Sequence, residues 1–246
     1  YHALSNCATI ADFEAWLTTY PQPWGVEANF GIIDAQGGAA YYEMNNSRYI
    51  KYDVNTMPEG YRVVTNFSQA GRYEDYEGWE RYQTATAIMK EAFSREKEMT
   101  AIDAMNLFSR QYRHEVLGID FDAENAPEYT VDQDFIPRRI TSAVVYFAGV
   151  RAGDNPLHSV MWTALGYPAC AVAIPLFVDK KHLPAYMLLR DAKAKEGEGL
   201  HCEMCDASLK IKNEWAFPLK ISNGNRYVNT QNILRGAESR PSILSC

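Results

Sequence analysis

The sequence predicts an α+β fold whose strands are mainly antiparallel. Short β-prone runs separated by turn residues fill the first quarter of the chain, two helical segments follow, and β-prone runs return in the last third. Runs of strands followed by runs of helices are typical of α+β proteins, whereas a parallel sheet needs regularly alternating βαβ units. The 246 residues, 47% of them hydrophobic, suffice for one domain over residues 1–246 with a sizeable core.

Each element has its own signal. A helix is predicted over residues 9–20, where Thr9 is the N-cap and apolar residues recur at helical spacing until Pro21. Residues 28–34, 39–44, 48–53 and 61–66 are predicted strands of an antiparallel meander with Gly and Asn turns. Helices follow over 77–97 and 100–112, the second with a capping box of Thr100 and Asp103.

The last third returns to strands, after a predicted loop over residues 124–138. Residues 141–150, 159–165 and 169–178 are apolar and β-prone. We expect the core to contain the following residues from both strand-rich regions: Ile32, Ile33, Val63, Val144, Val145, Val172 and Ala173.

Charge and hydropathy exclude several classes of partner. The formal net charge of −7 and the pI near 5.3 argue against nucleic acid and anionic membrane surfaces, which bind basic proteins. No run of eighteen apolar residues is present, so no transmembrane segment is expected.

The sequence opens with Tyr1 in place of Met, from which we expect that an upstream segment has been removed. A removed signal segment would favour export to the periplasm or the exterior.

Residues 28–67 carry a pattern of strand, Asp-x-x-Gly turn, strand ending in Glu, and a later Thr-Asn. This pattern resembles the central hairpins of the linear amide C–N hydrolases, the superfamily of penicillin acyltransferases and choloylglycine (bile-salt) hydrolases. A second similarity is Trp79-Glu80-Arg81-Tyr82, where that family has an arginine–aromatic pair opening a helix. Residues 141–178 are similar to a later sheet of the same superfamily. The matching residues of the first pattern are Asn29, Asp34, Gly37, Glu43, Thr65 and Asn66.

This resemblance implies an αββα sandwich, with two mainly antiparallel sheets between helices, and the chemistry of an N-terminal-nucleophile (Ntn) hydrolase. The nucleophile, typically Cys, is exposed by autoproteolysis, and its own α-amino group is the base because the pKa of that amine lies near 8. Tyr1 cannot serve, and Cys7 lacks the apolar strand that should follow a catalytic N-terminus. We therefore expect the nucleophile on an upstream fragment of the same precursor, on another chain, or lost.

The resemblance also implies the site. Asn66 would donate its side-chain N–H to an oxyanion; the alternative is a turn asparagine. Arg81 would lower the pKa of the nucleophile; the alternative is a solvated helix arginine paired with Glu77. Asn29 would line the site or make a turn hydrogen bond, and Arg72 replaces Arg81 if the alignment slips. The expected activity is hydrolysis of a small-molecule amide or acyl transfer from it.

No cofactor and no metal are expected. Cys202 and Cys205 form half of a zinc motif without a second half, so a disulfide or two free thiols is the better interpretation. The Asp pairs at 120/122 and 132/134 lack the glycine and terminal Glu of a calcium loop. A second hypothesis for the whole chain is a non-catalytic binding or assembly domain that keeps the Ntn fold. A homo-oligomer is compatible with either.

Overall fold

The computed structural model describes residues 2–71, 77–95, 98–132, 134–178, 182–188, 202–217, 219–220 and 226–229. The helices are α1 (His2–Asn6), α2 (Ile10–Thr19), α3 (Trp79–Arg95), α4 (Ala101–Met105) and α5 (Glu203–Ile211). The strands are β1 (Ala28–Ile33), β2 (Ala39–Met44), β3 (Tyr49–Asp53), β4 (Arg113–His114), β5 (Ile119–Asp120), β6 (Tyr129–Val131), β7 (Ala143–Ala148), β8 (Val160–Leu165), β9 (Ile174–Phe177), β10 (Leu219–Lys220) and β11 (Arg226–Asn229).

These elements confirm the α+β class. Within the described ranges, four sheets have the strand orders β1-β2-β3, β10-β11-β6, β4-β5 and β7-β8-β9, and every pair in the first three is antiparallel. Contacts group the chain into two compact units, Tyr1–Tyr82 with Ala148–Val160 (unit 1) and Gln83–Phe147 with Met161–Cys246 (unit 2). The expectation of one domain stays a prediction. No helix within the described ranges is long and apolar enough to cross a membrane.

Unit 1 is organised around β2, the central strand of its sheet. Asn29 of β1 lies opposite Glu43 of β2, and Tyr42 opposite Lys51 of β3. The β1–β2 turn is fixed by the Asp34 carboxylate, which accepts from the backbone N–H groups of Ile10, Gln36 and Gly38. These hydrogen bonds lower the pKa of Asp34 against the opposing effect of burial, so the carboxylate is held ionised. One side chain thus joins the hairpin to the start of α2.

Helix α2 covers one face of this sheet. Its predicted N-cap, Thr9, accepts from the backbone N–H of Asp12, and the Asp12 carboxylate accepts from the N–H of Thr9, completing a capping box. Phe13 meets the buried ring of Tyr42 edge-on, with centroids 5.2 Å apart. The resulting core contains Ile10, Phe13, Leu17, Ala40, Tyr42 and Met44.

Unit 2 is built on a cluster of buried rings. Tyr112 and Phe121 stack with centroids 5.4 Å apart, and Phe135 contacts both. The cluster contains Tyr112, Phe121, Phe135, Tyr167, Ala169, Ala216 and Phe217. Helix α4 begins with the predicted capping box of Thr100 and Asp103, and a π-helical turn over Asn106–Arg110 continues it. Aromatic rings therefore make up most of this cluster.

Several expectations about strands and core are wrong. Residues 61–66 form no strand, residues 169–178 are a strand only at Ile174–Phe177, and the predicted loop over 124–138 contains β6.

Three residues expected in the core are instead exposed: Ile33 (48%), Val145 (44%) and Val172 (43%). Ile33 and Val145 lie on edge strands, β1 and β7, and Val172 lies before β9 begins. Ala173 is buried, whereas Ile32, Val63 and Val144 are half-buried.

Candidate functional site

The loop over residues 61–71 carries Asn66 and is held by side chains. Its principal anchor is Glu43, a residue near the end of β2 that is only 7% exposed. The Glu43 carboxylate accepts from Ser68 Oγ at 2.7 Å and from the backbone N–H groups of Gln69 at 3.0 Å and Ala70 at 2.9 Å. A carboxylate that accepts several such bonds fixes a loop much as a strand ladder would, because it satisfies the backbone donors.

Two more hydrogen bonds fix the other half of the loop. Asn29 Nδ2, on β1, donates to the carbonyl oxygen of Thr65 at 3.3 Å. Gln69 Nε2 donates to the carbonyl oxygen of Val63 at 2.7 Å. Arg62 lies with its guanidinium 3.5 Å from the Tyr52 ring centroid and 3.5 Å from Glu43 Oε1. The residues on both sides of Asn66 are therefore tied to the β1–β3 sheet.

Asn66 and Arg81 meet at this loop. Arg81 lies in the first turn of α3, is 7% exposed, and donates from Nη2 to Oδ1 of the exposed Asn66. Gly78 makes the approach possible: its φ is +84°, and a Cβ built there would lie 2.5 Å from Arg81 Nη2 and 3.2 Å from Asn66 Oδ1. Glycine suits this position on both counts, since other residues rarely adopt this φ and their Cβ would displace the Arg81 guanidinium.

The pairing fixes which end of the Asn66 amide can donate. A guanidinium has only donors, so the atom facing it must be the amide oxygen, and the NH₂ end is directed elsewhere. Accepting a hydrogen bond from a cation also polarises the amide, which strengthens its N–H groups as donors. The geometry thus presents a surface N–H donor backed by a buried positive charge. Such a donor can stabilise an oxyanion that develops beside it.

Three aromatic rings adjoin this pair. Phe67 follows Asn66 in the chain, and Trp79 and Tyr82 lie on either side of Arg81 in α3. Phe67 meets Tyr82 edge-on at 5.4 Å, and Trp79 stacks on Tyr82 at 5.9 Å between centroids. Trp79 is more than one-third exposed. Aromatic residues therefore flank both members of the pair along the chain, and their rings contact one another.

The predicted site residues have different positions. Asn66 and Arg81 are brought together, although Asn66 lies in a turn and not at a strand end. Arg81 is buried, so the alternative of a solvated helix arginine is wrong. Asn29 is half-buried and supports the loop through Thr65, which is the hydrogen-bonding interpretation of that residue. Arg72 lies outside the described residues.

The cysteines offer no second centre of this kind within the described residues. Cys202 and Cys205 are free thiols, so the disulfide interpretation of this pair is wrong. Burial raises the pKa of the Cys205 thiol, with a further contribution from Cys202, and a raised pKa reduces its reactivity. Within the part of the chain that the structure describes, no group of three or more His, Cys, Asp or Glu side chains could hold a metal ion.

The loop-holding role of Glu43 was not predicted from the sequence. The sequence signal for it is an acid in an otherwise apolar strand, Ala-Ala-Tyr-Tyr-Glu-Met, because a carboxylate buried there needs hydrogen-bond partners.

Comparison of the chain with protein-family models, with curated proteins and with solved structures found no match. What the site can do is therefore inferred from its own geometry.

Proposed function

We propose that this chain is the larger part of a cysteine Ntn hydrolase or acyltransferase that acts on linear amides. The single observation that carries the proposal is the Arg81–Asn66 pair, a surface amide donor held by a buried guanidinium. The resemblance to linear amide C–N hydrolases implies Asn66 as the oxyanion donor and Arg81 as the active-site arginine, and their contact supports that assignment. The finer fold we propose is the αββα sandwich of that superfamily, and the antiparallel β1–β3 sheet and the helix α2 packed on it are compatible with it.

In the proposed reaction a cysteine thiolate from the upstream segment attacks the amide carbonyl carbon. The C–S bond forms, the carbonyl π electrons move to oxygen, and the oxyanion receives a hydrogen bond from Asn66 Nδ2. Collapse of this intermediate breaks the C–N bond, and the amine leaves with a proton supplied by the protonated α-amino group of the cysteine. Water, or a second amine in an acyltransferase, then attacks the thioester carbonyl carbon; the C–S bond breaks, the acyl group leaves as a carboxylic acid or a new amide, and the proton lost by the attacking group restores the thiol. Arg81 holds Asn66 in place and adds a positive charge near the anionic centre.

The apolar rings beside the pair support a substrate with an apolar acyl group. Phe67, Trp79 and Tyr82 lie within one or two residues of Asn66 or Arg81 along the chain, so a carbonyl bound at Asn66 has apolar surface close by. Ligand sites commonly combine such surface with a few placed polar groups.

The test is an amide-hydrolysis assay on the complete gene product. Asn66→Ala is expected to lower kcat by roughly 10²–10³-fold, the usual effect of removing one oxyanion donor. The matched control is Asn125→Ala, which changes an exposed asparagine of unit 2 and should leave kcat within about twofold of wild type. Equal turnover in the Asn66→Ala variant and wild type would contradict the catalytic role. A complete gene product that binds amides without hydrolysing them would favour the non-catalytic binding domain.

A further inference from the structure

The Glu43 carboxylate accepts three hydrogen bonds from the loop over residues 61–71 (the Asn66 loop), although the proposed reaction gives Glu43 no role. It lies on a strand 23 residues before Asn66, yet its three acceptor contacts all fall on residues 68–70, directly after Asn66. Its ion-pair contact falls on Arg62, before Asn66. One buried acid therefore holds the chain on both sides of the proposed oxyanion donor.

We infer that Glu43 is a positioning residue, whose carboxylate sets where the Asn66 side chain points without touching the substrate. This inference rests on the proposed function, because it assigns Glu43 a role in the same site. Strand β2 is the centre of its sheet and is hydrogen-bonded on both sides, so it is a rigid base for the carboxylate. The loop has no strand ladder of its own and depends on hydrogen bonds to side chains for its shape.

The contacts explain why a carboxylate is needed at this position. Two backbone N–H groups and one hydroxyl donate to it, and a glutamine can accept at only one of its two side-chain atoms. The amide nitrogen of glutamine would instead face a donor, which leaves at least one of these donors without its acceptor and pushes the loop away. The loop would then shift relative to Arg81, which lies on a different element, α3.

Glu14 provides a matched control. Its carboxylate lies partly buried against the β1–β3 sheet and accepts from Tyr42 Oη at 2.7 Å and Lys51 Nζ at 2.8 Å. These two partners lie on β2 and β3, and Tyr42 directly precedes Glu43 in β2, so the two side chains point to opposite faces of the sheet. Glu43→Gln and Glu14→Gln therefore remove the same charge from the same unit, and we expect only the first to alter the Asn66 loop.

The first readout does not depend on activity. We would record the side-chain NH₂ resonances of Asn66 by NMR in the 246-residue chain, assigning them by their loss in Asn66→Ala. We expect Glu43→Gln to shift these resonances and to speed hydrogen exchange at the amides of Gln69 and Ala70, while Glu14→Gln changes neither. Unshifted Asn66 resonances in a folded Glu43→Gln variant would overturn the inference.

The second readout uses the complete gene product. Glu43→Gln is expected to lower kcat by about 10²-fold with KM nearly unchanged, since misplacing a donor by about 1 Å has an effect of that size. Glu43→Ala should lower kcat further, and Glu14→Gln should leave it within about twofold. Equal losses in the two glutamine variants would indicate general destabilisation and overturn the positioning role.

A gentler variant covers the case in which Glu43→Gln does not fold. Ser68→Ala removes one of the three hydrogen bonds from an exposed residue of the loop. It should shift the Asn66 resonances in the same direction by a smaller amount, and no shift would count against the inference. If wild-type gene product shows no amide hydrolysis, the proposed function fails, whereas the NMR result still decides whether Glu43 positions Asn66.

Discussion

The two units hold their key side chains by different means. In unit 2, Tyr112, Phe121 and Phe135 are fixed by packing ring against ring, with centroids 5.4–5.6 Å apart. In unit 1, Asn66 lies at the surface and is fixed by polar contacts, through Arg81 directly and through Glu43 along the loop. Packing spreads stability over many weak contacts. In unit 1, by contrast, the position of Asn66 depends on a few strong polar contacts, those of Arg81 and Glu43, which we call the clamp.

This difference predicts opposite sensitivities. Substitutions in the aromatic cluster should change the free energy of unfolding strongly and leave the Asn66 amide where it is. Substitutions around the clamp should change stability modestly and displace that amide. Measuring both the free energy of unfolding and the Asn66 side-chain resonances of each variant therefore distinguishes the two kinds of substitution.

The largest stability effect is expected at Phe135, which is almost fully buried among aromatic neighbours. Phe135→Ala should lower the free energy of unfolding by about 3–5 kcal/mol, because it removes a large apolar side chain and leaves a cavity. Urea denaturation measures this change. Phe30→Ala, at a partly exposed position of β1, should have a much smaller effect. Shifted Asn66 resonances in folded Phe135→Ala would contradict the expectation that the aromatic cluster does not influence the Asn66 amide.

The next effect concerns Asp132, a largely buried acid of unit 2. Burial raises its pKa to about 6, against the backbone N–H of Arg139 and the charges of Arg139, Lys212 and Arg138, which lower it. Among the residues that the structure describes, its buried Oδ1 has no hydrogen-bond partner. The native state therefore binds this proton more tightly than the unfolded state, whose aspartate pKa lies near 3.9. Stability from this group is greatest below pH 4 and falls as pH rises through 6.

Asp132→Asn should abolish the loss of stability with rising pH, because the asparagine amide keeps an oxygen to accept from the Arg139 N–H and has no charge to desolvate. Its free energy of unfolding should exceed that of wild type at pH 7.5, by at most about 3 kcal/mol, and match it below pH 4. Urea titrations at several pH values measure the difference. A variant less stable than wild type at pH 7.5 would show that the ionised carboxylate is stabilising.

The smallest stability effect and the largest displacement are expected at Gly78. Gly78→Ala should lower the free energy of unfolding by about 1–3 kcal/mol, the usual range for a strained backbone, and should push the Arg81 guanidinium away from Asn66. Gly60→Ala is the control, since Gly60 has φ +71° but a Cβ there would meet nothing within 4 Å. Both variants should lose similar stability, and only Gly78→Ala should shift the Asn66 resonances. Identical resonances in the two variants would contradict the close approach.

Local signals in the sequence predict the local structure well. The capping box of Thr9 and Asp12 sets the start of α2, and the β-prone run at 39–44 is β2 itself, because neighbouring residues decide both. Residues 61–66 are equally β-prone but form no strand, since their carbonyl oxygens meet side chains such as Asn29 of β1, which is far away in sequence. Propensity describes what a segment can do alone and carries no information about such partners.

The site divides in the same way. The meeting of Asn66 and Arg81 followed from the resemblance and from chain order, since a short connection leads from the loop to the start of α3. The clamp at Glu43 did not, because its contacts span 25–27 residues and no local pattern specifies them. Gly78 was also missed, since its positive φ and its close approach to Arg81 are both set by the folded backbone.

The most direct test of the proposed function is a mass spectrum of the complete gene product incubated with an N-acyl amide. We expect a mature fragment whose first residue is cysteine and which gains the mass of the acyl group, less one hydrogen, as a thioester. The adduct should form more slowly in Asn66→Ala, because the oxyanion loses its donor. A gene product that stays uncleaved and gains no acyl mass would contradict the assignment as an Ntn amide hydrolase.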